Sequence, residues 1–199
     1  MILYHIHKHN KFDSYFKEGN TFECGNSINH FTSELMNTSG TINLNNKSVD
    51  MEDALFRAHL GGYCLDDKSH VMNQIQAYLY NSKLNTRELI LEQIRLQNYS
   101  NLPSRFNCIW LCDEECISTW LYLINSGEDF NIFEVEVGMS DNDNIFQSSS
   151  SLLPKLSSTN GQMFEQAKLY WNPSEEFLEE KNDLEYLYTG NVRVRKRII

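Results

Sequence analysis

The chain has 199 residues, a formal net charge of −10, 41% hydrophobic and 12% aromatic residues, nine Gly and three Pro, a balance that excludes a disordered tail, a collagen or a linker. A chain of this length buries roughly 70% of the surface its unfolded form exposes, so one domain with a sizeable core is expected without metal or disulfide staples. Acidic residues outnumber basic ones, 27 against 17, so a polyanion would have to be held by a local patch and not by the field of the whole protein.

Ile2-Leu3-Tyr4-His5-Ile6-His7, β-branched and aromatic, predicts a strand. It lacks the basic start and small-residue cleavage site of a signal peptide, and no stretch reaches the ~20 apolar residues that cross a bilayer. With an odd five cysteines, reduced thiols, a cytoplasmic location and no membrane partner are expected. Lys8 to Asn46 is polar and punctuated by Gly19, Gly25 and Gly40, which predicts mostly loop. A mainly helical insertion over about 48–98 follows: a short helix near Met51–His59, one after Ser69 with Val71, Ile75, Tyr78 and Leu79 on one face, and one starting after Asn85. Asn85 and Glu88 have the spacing of a capping box, and Leu84 and Leu89 that of a hydrophobic staple.

Pro103 and the residue before it favour an extended connection over Asn98–Arg105, and Asn107–Cys112 predicts a strand. Asp113 is placed to cap a helix with Glu114 and Glu115 in its first turn, an apolar stripe of Ile117, Trp120, Leu121 and Ile124, and a stop at Gly127. Phe133, Val135 and Val137 alternate with Glu134 and Glu136 as in a half-buried strand; Gly138–Gly161, carrying Ser148–Ser151, reads as a long loop, and Gln162–Tyr170 as a helix. The end predicts a hairpin: Leu184–Tyr188, a turn at Thr189-Gly190-Asn191, then Val192–Ile198 with Arg193, Arg195 and Arg197 on one face. Strands at both ends with helices between them indicate an α+β fold in a single domain, 1–199.

Several residue sets carry candidate chemistry. His5, His7 and His9 project from one face of a strand, as metal ligands can, but His30, His59 and His70 add no matching spacing, and no metal is expected. Cys108, Cys112 and Cys116 recur every fourth residue, which is not a zinc spacing, and are read as buried small hydrophobes. No Gly-x-Ser-x-Gly elbow, Walker loop or Gly-x-Gly-x-x-Gly occurs. Glu185 opens the last predicted hairpin after an acidic loop; a Glu in such a place is ordinarily a solvated edge-strand acid. The arginine face of that hairpin is either a polyanion-binding patch beside Glu185 or a charged edge that prevents aggregation.

Three pieces in order resemble the three-part signature of the ADP-ribosyltransferase superfamily: Leu3-Tyr4-His5-Ile6; Leu102-Pro103-Ser104-Arg105-Phe106 leading into Ile109-Trp110-Leu111; and Leu184-Glu185-Tyr186-Leu187 with Gly190. They are most similar to a bacterial branch in which Pro-Ser-Arg-Phe precedes the middle strand, and Tyr170-Trp171 and the run from Glu88 to Arg95 also fit that branch. The resemblance implies an ADP-ribosyltransferase-like split β-sheet with flanking helices and an NAD cleft. NAD would be the co-substrate, and the mechanism would need no metal.

Carried over position by position, the resemblance makes His5 the partner of a ribose hydroxyl of NAD and Glu185 the catalytic Glu. Trp110 would stack on nicotinamide, with Trp120 on the supporting helix; Ser104 and Arg105 would lie at the strand entrance, the Arg pairing with the pyrophosphate or positioning the ribose. The chemistry suits those residue types. Cleaving the bond between nicotinamide and ribose builds oxocarbenium-like charge, which a carboxylate on the adjacent ribose hydroxyl stabilises, while Arg pairs with diphosphate and a flat aromatic supplies stacking area. The chain departs from the family pattern in two places: Trp110 stands where many members have Tyr, and Asp183 stands two residues before Glu185 where arginine-modifying members carry Gln or Glu. The implied activity is mono-ADP-ribosyl transfer to a macromolecule, RNA or DNA foremost, by a toxin-like protein with an inhibitor or antitoxin partner. A protein target, or an inactive module that binds a nucleotide or partner through the same cleft, are the alternatives.

Overall fold

The structure, a computed structural model, describes residues 1–8, 13–44, 47–59, 68–124, 130–179 and 182–198. In chain order the elements are β1 (Ile2–Lys8), β2 (Thr21–Cys24), α1 (His30–Met36), β3 (Thr41–Leu44), β4 (Lys47–Asp50), α2 (Met51–His59), α3 (Lys68–Asn98) and β5 (Ile109–Leu111). Then come α4 (Ile117–Ile124), β6 (Phe130–Glu136), β7 (Asn144–Ser149), α5 (Asn160–Trp171), α6 (Glu175–Glu179) and β8 (Leu184–Arg197). The fold is α+β around an antiparallel sheet. Among the described residues no helix is long and apolar enough to cross a membrane.

The expected terminal hairpin is instead one strand of 14 residues, β8. Its first half pairs with β5 (Ile109 opposite Tyr188) on one side and β7 (Ser148 opposite Glu185) on the other. Its second half pairs with β2 (Cys24 opposite Gly190) and β6 (Val135 opposite Val194). Gly190, taken for a turn residue in the sequence, marks the handover: its φ is +133°, and a Cβ there would run into the Asp143 carboxylate, which accepts the Asn191 N–H. Only glycine combines that backbone with that approach. The strand therefore changes neighbours at Gly190 without reversing, and the sheet splits into two sets that share β8. β1 lies along β6, and Tyr4 bridges across to Cys112 beside β5.

Other expectations are corrected by the packing. The 8–46 stretch holds β2, α1 and β3; Asn29 caps α1 by accepting the Thr32 N–H at 2.9 Å. Gly138–Gly161 is interrupted by β7, whose Ile145 and Phe146 sit in an otherwise polar run, and the Asp183 carboxylate takes the hydroxyls of Ser149 and Ser150 and the Ser151 N–H. α3 runs unbroken through Asn85, because nothing from Lys68 to Asn98 is Gly or Pro and both flanks are good helix formers. Leu84 is buried while Leu89 is 49% exposed, so they form no staple. Asp113 makes no side-chain cap to the 3-10 turn Glu114–Cys116 that leads into α4; it accepts the Tyr186 hydroxyl at 2.8 Å. Gly127 lies outside the described residues. Met51–His59 and the strand at Phe133 stand where expected, and α5 starts at Asn160 behind a Thr159/Gln162 capping box.

Two apolar clusters hold the sheet. One face buries Leu91, Ile94, Met163, Tyr170, Trp171 and Leu187 under α3 and α5, so the second half of α3 belongs to the main core. The other buries Leu3, Ile109, Val135, Val192 and Val194. The hairpin β3–β4, α2 and the start of α3 enclose their own small core of Ile42, Met51, Ala54 and Val71.

Candidate active site

Glu185 is not a solvated edge acid: it is 2% exposed on a strand with neighbours on both sides. Its Oε1 accepts from Arg105 Nη1 at 2.8 Å and from the Tyr170 hydroxyl at 2.6 Å. Its Oε2 makes no hydrogen bond with the described residues. Arg105 comes from the Pro-Ser-Arg-Phe turn and is 4% exposed, with Nε on Glu88 Oε2 at 2.7 Å and its guanidinium over the Tyr170 and Trp110 rings. Glu88, from α3, also takes Nε and Nη2 of Arg87 on Oε1. Two carboxylates and two guanidiniums thus form a chain, Arg87, Glu88, Arg105, Glu185, of which the last three are buried and Arg87 is half-buried, and opposite charges alternate along it, which is the condition for burying such groups at all.

The ionisation states follow. Burial alone would raise the Glu88 pKa, but Arg105 and Arg87 outweigh it and hold it below the ordinary carboxylate value. Burial would loosen the Arg105 proton, yet Glu185 and Glu88 hold it more firmly than in water. Burial, against the pull of Arg105, pushes the Tyr170 hydroxyl well above its usual pKa.

His5 stands on β1 at the other wall. Its Nδ1 lies 3.0 Å from the Trp110 carbonyl oxygen, which can only accept, so Nδ1 carries the proton and Nε2 is left with its lone pair. Burial pushes the His5 pKa down to about 4, the Trp110 carbonyl opposing it and His7 adding to it, so the ring is neutral at neutral pH. Phe16 stacks on it with ring centroids 4.6 Å apart. His7 takes another course: buried, with Nε2 on Asp13 at 2.8 Å. His9 lies outside the described residues, and among those described no three His, Cys, Asp or Glu converge as metal ligands. Cys108, Cys112 and Cys116 are buried free thiols.

Two cavities meet at His5 and Trp110. The larger, about 730 Å³, is lined by Phe16, Phe22, Cys24, Asn29 and Phe31 along with those two residues. The smaller, about 310 Å³, adds Tyr4, Arg87, Arg105, Trp120 and Glu185. Trp120 Nε1 donates to the Leu184 carbonyl at 2.9 Å and so fixes the start of β8 beside Glu185. The structure brings His5, Arg105, Trp110 and Glu185 to one cleft. Ser104 lines neither cavity: its hydroxyl donates to Glu92 at 2.9 Å and accepts the Phe106 N–H, closing the turn.

The sequence offers Glu88 as a capping-box residue, and Glu88 and Tyr170 as parts of the resemblance without a role in the site; nothing in it singles out Arg87. Glu88, Glu92 and Arg95 recur at helical spacing on the face that also carries Leu91, and Arg95 donates to the carbonyls of Ser100 and Leu102. A charged row interleaved with a core face was the available signal that α3 grips the turn delivering Arg105. Asn29 grips it from the opposite side, donating to the carbonyls of Arg105 and Cys108.

A family model described as a protein of unknown function, DUF2441, matches residues 3–199. No curated protein matches the chain.

Proposed function

The chain belongs to the DUF2441 family, and we propose that it is an NAD-dependent mono-ADP-ribosyltransferase, with the split sheet serving as the ADP-ribosyltransferase-like NAD cleft. The observation that carries this reading is Glu185: a carboxylate buried to 2% exposure, held by one oxygen and lining a cavity with the other unbonded. Such an arrangement is poor for stability alone, since a buried ion pair gains little over apolar packing. It suits a group that must meet developing positive charge without reorganising.

NAD is a two-part ligand, and a cleft of two joined cavities supports it. The ribose that bears nicotinamide would lie at their junction, where His5 Nε2 accepts a hydroxyl and Glu185 Oε2 accepts the adjacent one. Glu185 then stabilises the oxocarbenium-like sugar as nicotinamide departs, and Trp110 supplies a flat face for the leaving ring. Arg105 has Nε and Nη1 committed, so it offers Nη2 alone to the cofactor. Arg87, whose Nη1 is outside its pair with Glu88 and which lines the smaller cavity, is the second cation for the diphosphate. Ser104 acts through the turn it closes.

The acceptor we propose is a macromolecule, RNA or DNA, as for a toxin-like enzyme held by an inhibitor protein. Asp183 favours this over an arginine side chain, because its carboxylate is filled by Ser149–Ser151 and is not presented to a target. The test is incubation with labelled NAD and total RNA, DNA and protein, followed by mass spectrometry. Release of nicotinamide with label on one polymer class is expected; no NAD binding by calorimetry and no nicotinamide release would overturn the reading.

A further inference from the structure

We propose that Tyr170 is a positioning residue for Glu185: its hydroxyl and Arg105 Nη1 clamp Oε1, so that Oε2 is the oxygen that meets the ribose. The inference rests on the transferase reading and adds to it the residue that sets the carboxylate's aim.

The direction of every bond is fixed by chemistry. Arg105 Nη1 lies 2.5 Å from the Tyr170 oxygen and cannot accept, so it donates there; the Tyr170 proton must then point at Glu185 Oε1, 2.6 Å away. The second Nη1 proton goes to the same Oε1 at 2.8 Å. Arg105 Nη1, the Tyr170 hydroxyl and Glu185 Oε1 close a triangle, and turning the carboxyl group away from these two donors breaks both of its hydrogen bonds.

The height of Tyr170 against Glu185 is also set. The Ser148 hydroxyl donates to the Tyr170 carbonyl at 2.9 Å, and Ser148 is the residue opposite Glu185 in the β7–β8 pairing. The end of α5 is therefore tied to the strand register at the level of the carboxylate. The ring itself packs edge-on to Trp171 and Phe146, a task phenylalanine would perform equally well. Packing explains the ring and leaves the hydroxyl for Glu185.

The experiment uses the full chain and compares wild type, Tyr170→Phe and Trp171→Phe. Trp171→Phe removes an indole donor from the Leu91 carbonyl in the same core without touching Glu185. With NAD varied, Tyr170→Phe is expected to lower kcat by about 10- to 100-fold with KM within about threefold, while Trp171→Phe lowers the melting temperature at least as far and keeps kcat within about threefold. Equal kcat losses in the two variants, or wild-type kcat in Tyr170→Phe, would overturn the proposal. Should Tyr170→Phe not fold, Ser148→Ala gives the same reading: reduced kcat at constant KM supports the clamp, and unchanged kcat overturns it. If wild type consumes no NAD, the transferase reading falls and crystal structures decide the clamp by themselves. One Glu185 conformer in wild type and several in Tyr170→Phe sustain it; a single unchanged conformer in both overturns it.

Discussion

Arg105 and Glu185 stand 80 positions apart in the sequence and meet Nη1 to Oε1 at 2.8 Å with almost no solvent on either. The pair couples the turn before β5 to the first residues of β8, and both residues line the smaller cavity.

Replacing Glu185 by Gln keeps the shape and an acceptor for Arg105 but removes the charge. Transfer is expected to fall by more than about 100-fold while NAD affinity stays within about tenfold, because the carboxylate acts on transition-state charge and not on ground-state binding. Nicotinamide release and calorimetry on the same preparation check this, and wild-type turnover in the Gln variant removes Glu185 from the catalytic role.

His5 gives two measurable effects. His5→Ala is expected to weaken NAD binding by about 1–3 kcal/mol, the value of a buried hydrogen bond, and unchanged affinity would return His5 to a packing role. The second effect is on stability. With a pKa near 4 in the folded chain against ~6.5 unfolded, the unfolded state binds more protons between those values. The His5 contribution is therefore complete above pH 6.5 and lost as pH falls towards 4, by an amount on the order of 3 kcal/mol. Urea unfolding at pH 7 and pH 4.5 should show wild type losing more stability than His5→Gln; parallel losses would contradict it.

Gly190→Ala is expected to cost at least about 1–3 kcal/mol, since a side chain at φ +133° is strained and its Cβ meets the Asp143 carboxylate. Denaturant midpoints for Gly190→Ala, with and without Asp143→Ala, separate the two terms: the second change relieves the collision and leaves the backbone strain. A midpoint equal to wild type in Gly190→Ala would show that the bend relaxes freely.

The arginine face behaves differently from its expectation. Because β8 does not fold back, Arg193 lies eight residues up the strand from Glu185, up to about 27 Å, with β2 and β6 on its flanks. Arg195 reaches Glu136 at 3.3 Å and Lys196 reaches Glu134 at 3.2 Å. Neutralising Arg193, Arg195 and Arg197 together should leave NAD consumption unchanged and lower single-stranded nucleic-acid affinity by less than about threefold. A large loss with a flattened salt dependence would place the acceptor tract on that face.

What the sequence displayed and what it hid divides along a physical line. β1, α2, β6 and α5 carry their own periodicity or caps, and local patterning located them. The 184–197 segment has a turn-like tripeptide in the middle, and nothing local reveals that Asp143 and β2 hold it extended. β7 is polar because one of its faces meets α5 through Ser148 and its end is bound by Asp183, so its strand character lies in its partners. In the cleft, His5, Arg105, Trp110 and Glu185 are named by the resemblance to a family signature; from residue type alone Glu185 reads as a solvated acid. One of the two hydrogen bonds on Glu185 comes from Tyr170 and the second carboxylate on Arg105 from Glu88; both sit on helices, and no local pattern shows which side chain they meet.

The position of β8 in the chain has a consequence for synthesis. β8 follows all four strands it joins, β2, β5, β6 and β7, and each of those pairings closes a long loop, which makes folding slow to nucleate and late to complete. A ribosome that has made everything up to residue 183 has produced helices, the β3–β4 hairpin and the β1–β6 pair, with no hub to join β2, β5, β6 and β7. The emergence of β8 brings Glu185 and sheet closure together, so a nascent chain has no assembled cleft until that strand is free to pair. A pulse-chase comparison of stalled chains ending before and after β8, probed by limited proteolysis, should show protection arising in a single step.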